Sequence, residues 1–117
     1  MATSLDARFR LRINKGEEIA IGPGKVALLE AIVETGSITA AAKRLNMSYR
    51  RAWLLVDDMN RCFKKPLVDS AKGGKEGGGT VVNDQGLEVI RLYRHIESTA
   101  AARTATDIVR LGRMLNP

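Results

Sequence analysis

Residues 36–53 read Gly36-Ser37-Ile38-Thr39-Ala40-Ala41-Ala42-Lys43-Arg44-Leu45-Asn46-Met47-Ser48-Tyr49-Arg50-Arg51-Ala52-Trp53. Ser37 is a good N-cap for a short helix running to about Leu45, and Ser48 is a second cap eleven residues later. Asn46-Met47 between them makes a tight turn. Two helices joined so closely must cross at short range, which demands small residues where they touch. Ala41 and Ala42 supply these, while Ile38 and Leu45 seal the first helix to a core. The second helix shows Ala52, Leu55, Val56, Met59 and Phe63 at helical spacing, a buried face that leaves the polar residues at its start pointing outward. Pro66 is expected to end it. This is a helix-turn-helix over residues 37–63, whose second helix can project into a DNA major groove.

The outward start of that helix carries the chemistry. Its free N–H groups and positive dipole end favour a phosphate. Arg50 and Arg51 can fork onto guanine O6 and N7 or onto phosphate oxygens. The competing explanation, a solvated basic face on an ordinary bundle, does not account for caps, small residues and arginines gathered at one place. Trp53 falls beside the buried stripe; core or half-buried packing is favoured over direct contact with a phosphate, because large aromatics are mostly buried.

Outward from this motif the chain alternates hairpins and helices. Phe9, Leu11 and Ile13 alternate with Arg8, Arg10 and Arg12, a half-buried strand pattern. Asn14-Lys15-Gly16 is a turn signal, and residues 18–21 form a short returning strand. Pro23 suits the first turn of an apolar helix containing Val26, Leu28, Leu29, Ile32 and Val33, and Gly36 is placed to stop it. Residues 67–71 and 80–83 look like two more strands. The five glycines and three charges of residues 72–79 between them read as a mobile hairpin tip. With Lys72 and Lys75 aimed at backbone phosphate or minor groove, it is a wing; a merely flexible turn is the alternative. It is not a phosphate loop, because Gly74-Lys75 is followed by Glu76 and no glycine stands at position 69. Asp84 is expected to cap a long helix over 84–113, with Leu87, Ile90, Tyr93 and Ile96 on one stripe.

The expected fold is mainly α with small β-hairpins, a winged helix-turn-helix with a long C-terminal dimerisation helix, in one domain over residues 1–117. The chain has 117 residues and net charge +6; aromatics make up 4%, so Ala, Ile, Leu and Val must build the core. Nine basic residues against four acidic ones between Lys43 and Glu76 place nearly all the excess charge in the middle third, which favours a polyanionic partner. Cys62 is the only cysteine and His95 the only histidine, so no disulfide within the chain and no metal or catalytic constellation is expected. Cys62 is read as a small buried or half-buried residue and His95 as a surface or interface one. No cofactor and no enzymatic activity are expected. Without a signal-like or bilayer-spanning stretch, a cytoplasmic protein is expected.

These residues resemble a known family. Gly36-Ser37-Ile38, Ala41-Ala42, Leu45 and the run Ser48-Tyr49-Arg50-Arg51-Ala52-Trp53 are similar to the N-terminal DNA-binding domain of the ModE-type, molybdate-responsive regulators, related to the LysR-type winged helix-turn-helix. Asn83-Asp84-Gln85-Gly86 and Leu92-Tyr93 extend the likeness over nearly the whole chain. The resemblance implies a homodimer paired through its N-terminal and C-terminal helices, holding two recognition helices over a palindromic operator. It also implies C-terminal oxyanion-binding domains, which are not expected in a chain ending at Pro117. The candidate DNA-contacting residues are Ser37, Thr39, Ser48, Tyr49, Arg50, Arg51, Trp53, Lys72 and Lys75. The expected function is sequence-specific recognition of double-stranded DNA in transcriptional regulation. The alternatives are a winged-helix protein-interaction module and a nonspecific chromosome-associated DNA-binding protein.

Overall fold

The computed structural model describes residues 5–71 and 79–117. Strand β1 (Ile13–Lys15) pairs antiparallel with β2 (Glu18–Ile21), and helix α1 (Pro23–Thr35) follows at once. Next come α2 (Ile38–Arg44) and α3 (Tyr49–Cys62), then the antiparallel hairpin β3 (Val68–Ala71) and β4 (Gly79–Val82), and finally α4 (Asp84–Gly112). This is a winged helix-turn-helix with a long last helix, as the residue pattern implies.

The core sits where α1, α2 and α3 meet. Leu28, Leu29, Ile32, Met59, Leu67 and Val26 are its largest fully buried side chains, and Ala41, Ala42 and Ala52 fill the close helix crossings. Aliphatic residues do supply the packing. Lys25 is the one buried charge among the described residues; its Nζ donates to the Ile19 carbonyl and lies 3.9 Å from Asp58. That pairing removes the penalty of a bare ammonium in the interior.

Local chemistry starts and stops the central helices. Gly36 ends α1 in the left-handed region (φ 70°), and its N–H donates to the Ile32 carbonyl at 2.7 Å. After α2 the chain passes through Asn46 at φ 57°. The Met47 N–H donates to Ala42 O at 2.9 Å and the Asn46 N–H to Lys43 O at 3.1 Å. These two crossed bonds are a Schellman closure, and they make the turn between α2 and α3 rigid.

Three sequence expectations about element ends are corrected. Helix α3 stops at Cys62, before Pro66 is reached, because Phe63 takes extended backbone and packs its ring against the core. Asn83 rather than Asp84 caps α4, its Oδ1 accepting from the Gly86 N–H at 3.0 Å. The alternating strand predicted from Phe9 is paired only from Ile13. Its partner β2 is four residues long and runs directly into Gly22-Pro23, so no backbone remains for residues 9–12 to pair with. Those residues lie along α4 instead: the Tyr93 hydroxyl donates to the Leu11 carbonyl at 2.8 Å, and Leu5 reaches Gly112.

The stripe on α4 is partly buried. Tyr93 is buried and Ile90 half-buried, while Leu87 and Ile96 are exposed. Past Tyr93 the helix leaves the body. The molecule is consequently elongated, 58 × 31 × 23 Å with a radius of gyration of 17.4 Å; a compact chain of this length has about 13 Å. Among the described residues, no helix is long and apolar enough to cross a membrane.

Candidate nucleic-acid interface

The site is built from two capped helix starts and the hairpin beside them. Ser37 Oγ accepts from the Ala40 N–H at 3.1 Å at the start of α2, and Ser48 Oγ accepts from the Arg51 N–H at 3.0 Å at the start of α3. Both serines therefore serve as caps, leaving their remaining hydroxyl capacity for a ligand. Thr39 is exposed on the first turn of α2. Tyr49, Arg50 and Arg51 are exposed on the first turn of α3, on the side not held by Ala52, Val56 and Met59.

The arginines of the molecule fall into two groups. Arg44 pairs with Glu34, Arg91 with Glu88, and Arg94 grips Glu30 while also meeting Glu97. Arg61 meets Asp57, Asp58 and Glu18 together. Arg50 and Arg51, by contrast, have no side-chain hydrogen bond or ion pair among the described residues, a state they share with Arg10, Arg12, Arg103, Arg110 and Arg113, but they alone of these stand at a capped helix start. Their guanidinium groups are available for an external anion. Arg50 is exposed, whereas Arg51 borders a groove of mixed charge that it lines with Arg10, Arg12, Glu17, Glu18 and Asp58.

Trp53 does not enter the core: it is 47% exposed. Its ring borders a shallow concavity with Ile38, Asn60, Ser70 and Thr80, between α3 and the hairpin. Leu54, one position on, is 43% exposed and was not anticipated. The available signal was its place off the buried period: it lies two residues from both Ala52 and Val56, on the opposite side of the helix.

The hairpin is fastened to this surface from several sides. Asn60 is central: its Oδ1 accepts from the N–H groups of Leu67 at 2.9 Å and Val68 at 3.2 Å, and its Nδ2 donates to Val68 O at 3.1 Å. The Thr80 N–H donates to the Gly36 carbonyl at 3.0 Å, joining β4 to the start of the helix-turn-helix. Gly86 allows α4 to approach, since a Cβ there would collide with the Leu67 carbonyl and the Val82 side chain. Lys72 and Lys75, the expected wing contacts, lie outside the described residues.

The ionisable groups near α3 are tuned by one cluster. The Cys62 thiol donates to Glu18 Oε2 at 3.5 Å. Glu18 is held below the usual carboxylate range by that hydrogen bond and then by Arg61. Burial, followed by the same hydrogen bond to Glu18, pushes the Cys62 thiol up, away from a reactive thiolate. His95 stands exposed on α4.

Comparison with known proteins agrees with this geometry. The family model described as bacterial regulatory helix-turn-helix protein, lysR family, matches residues 24–86, from the start of α1 to the first turn of α4. The molybdenum transport protein ModE of Azotobacter vinelandii is 41% identical over 96 residues, covering 82% of this chain and 35% of that protein. The molybdenum-pterin-binding protein MopB of Rhodobacter capsulatus is 46% identical over 81 residues, 69% of this chain and 30% of that protein. The DNA-binding transcriptional dual regulator ModE of Escherichia coli (strain K12) is 35% identical over 89 residues, 76% of this chain and 34% of that protein. The chain thus spans about a third of the length of the curated relatives it matches. With a family match running through α1, the helix-turn-helix and the hairpin, the chain belongs to the bacterial regulatory helix-turn-helix proteins of the lysR family, and its domain is of the ModE type.

Proposed function

We propose that the chain is a sequence-specific, double-stranded DNA-binding transcriptional regulator, with no enzymatic activity of its own, working in the cytoplasm. The observation that carries this reading is the start of α3, where two arginines without internal partners flank a serine-capped, exposed helix end. Arg50 is assigned to a base edge in the major groove and Arg51 to backbone phosphate. Ser37, Thr39, Ser48 and Tyr49 fix the register through sugar–phosphate contacts, Trp53 packs against the flanking backbone, and Lys72 and Lys75 add phosphate contacts from the wing.

The protein is proposed to act as a homodimer on a palindromic operator, with half-sites about one helical turn (roughly 34–36 Å) or a multiple of it apart. Support comes from α4, whose Leu92, Ile96, Val109 and Leu111 are exposed on a helix that leaves the body. A small monomer rarely leaves such a run of apolar side chains bare. Two relatives carry molybdenum in their names, and control of genes for handling that element is the corresponding physiological proposal.

A salt titration of duplex binding tests the reading, using duplexes selected from a random pool against scrambled ones. A preference for the selected duplex and a log–log affinity slope that steepens with the number of phosphates contacted are expected. Binding that is indifferent to sequence would point to nonspecific coating; no duplex binding would leave a protein-interaction module.

A further inference from the structure

Leu54 is not among the apolar side chains packed on the core. The buried side of α3 is set by Ala52, Val56 and Met59, and Leu54 falls about 200° around the helix from both Ala52 and Val56. It stands one turn after Arg50 on the same outward face, with 43% of its surface open to solvent. A lone exposed leucine is ordinary on a protein surface. This one, however, shares its face with Arg50, which precedes it, with Asp57 and Arg61, which are paired with each other, and with the exposed Trp53 at its border. Along the line of that face, the group directly behind the unpaired Arg50 guanidinium is therefore an aliphatic side chain.

In the major groove, such a pair matches a particular chemistry. The guanidinium finds guanine O6 and N7, and the only apolar group that any base presents there is the C5-methyl of thymine. We propose that Leu54 is a specificity-determining residue that takes the thymine methyl group, one helical turn into the groove from the base read by Arg50. This rests on the duplex-binding function proposed above. It adds a residue that discriminates thymine from cytosine without forming a hydrogen bond.

The test replaces each thymine of a duplex selected by the full chain, singly, with deoxyuridine. That change deletes the methyl and leaves pairing and groove hydrogen-bond groups unaltered. Wild type is expected to lose about four-fold in affinity at one thymine of each half-site, the effect of one buried methyl group. Leu54→Ala, at an exposed position where alanine is a better helix former, is expected to lose that sensitivity at the same thymine. Arg50→Ala is expected to keep it. Selective binding by wild type that tolerates uracil everywhere, or an undiminished uracil penalty in Leu54→Ala, would overturn the assignment of Leu54 alone. No preference of wild type for its selected duplex would overturn the proposed function, and this assignment with it.

Discussion

At the start of α3, Arg50 and Arg51 stand exposed with no partner among the described residues; at its end, Arg61 is held by Asp57, Asp58 and Glu18 together. The same helix thus presents cations in opposite states over three turns. Its C-terminal half is structural: Asn60 fastens the hairpin by three hydrogen bonds, and Arg61 ties the helix to the first hairpin through Glu18. Its N-terminal half is capped, exposed and unneutralised. Net charge in the middle third of the chain is therefore a poor guide to where an anion binds. What counts is which unpaired cations stand together at a capped, exposed helix start.

This contrast predicts that the two halves fail differently when mutated. The largest effect is expected at Asn60. Asn60→Ala would leave the Leu67 and Val68 backbone groups without partners, destabilising the fold by about 2–3 kcal/mol, which denaturant unfolding would measure. Next comes Arg50→Ala, which should remove about 1–3 kcal/mol of base discrimination while leaving the unfolding midpoint nearly unchanged; competition between selected and single-base-variant duplexes reads this. Ser48→Ala removes the cap of α3 and should destabilise by about 1 kcal/mol, a loss that Ser48→Asn should largely avoid. Stability and reading separate cleanly only if the two halves are as distinct as the ion pairs imply.

The smallest effects belong to the Arg61 cluster, because exposed ion pairs contribute little. Arg61→Ala is expected to leave duplex selectivity intact. Glu18 provides a pH signature of this end. Its folded pKa is lowered, first by the Cys62 thiol and then by Arg61. The stability it contributes is present above the ordinary carboxylate value and is lost as pH falls through the lowered one. Acid unfolding of Glu18→Gln should accordingly approach that of wild type as pH falls below the ordinary carboxylate value and meet it only below the lowered one. A difference that instead grew on acidification would contradict the pairing.

How much of this was legible in the residue string depends on the range of the interaction. Caps and turns are local, so Gly36, Ser37, Asn46 and Ser48 announced α2, α3 and the turn between them, and the helical spacing of Ala52, Val56 and Met59 announced the buried face. The fate of residues 5–12 was not legible. Their alternation fits a strand, but pairing needs a partner, and the shortness of β2 hands them to α4 instead. Trp53 is open in the residue string between core or half-buried packing and contact with a ligand, because its place beside the buried stripe does not decide; it is 47% exposed and borders the concavity between α3 and the hairpin. Asn60 and Leu54 were missed for opposite reasons. The first acts on a hairpin several residues further along the chain, and the second is conspicuous only once the buried side of α3 is fixed. Asp84 and Asn83 are adjacent residues of which either type would serve as the cap of α4. Asn83 fills the role since its amide also reaches the Pro66 carbonyl at 2.8 Å.

The most direct test of the central contrast measures duplex affinity against salt for wild type, the Arg50→Ala/Arg51→Ala double variant and Arg61→Ala. Wild type and Arg61→Ala should share a steep slope and a preference for the selected duplex over a scrambled one. The double variant should lose the preference and show a slope shallower by about 1, for the one phosphate assigned to Arg51. Equal losses in Arg61→Ala and the double variant, or an unchanged preference in the double variant, would contradict the assignment of reading to the start of α3.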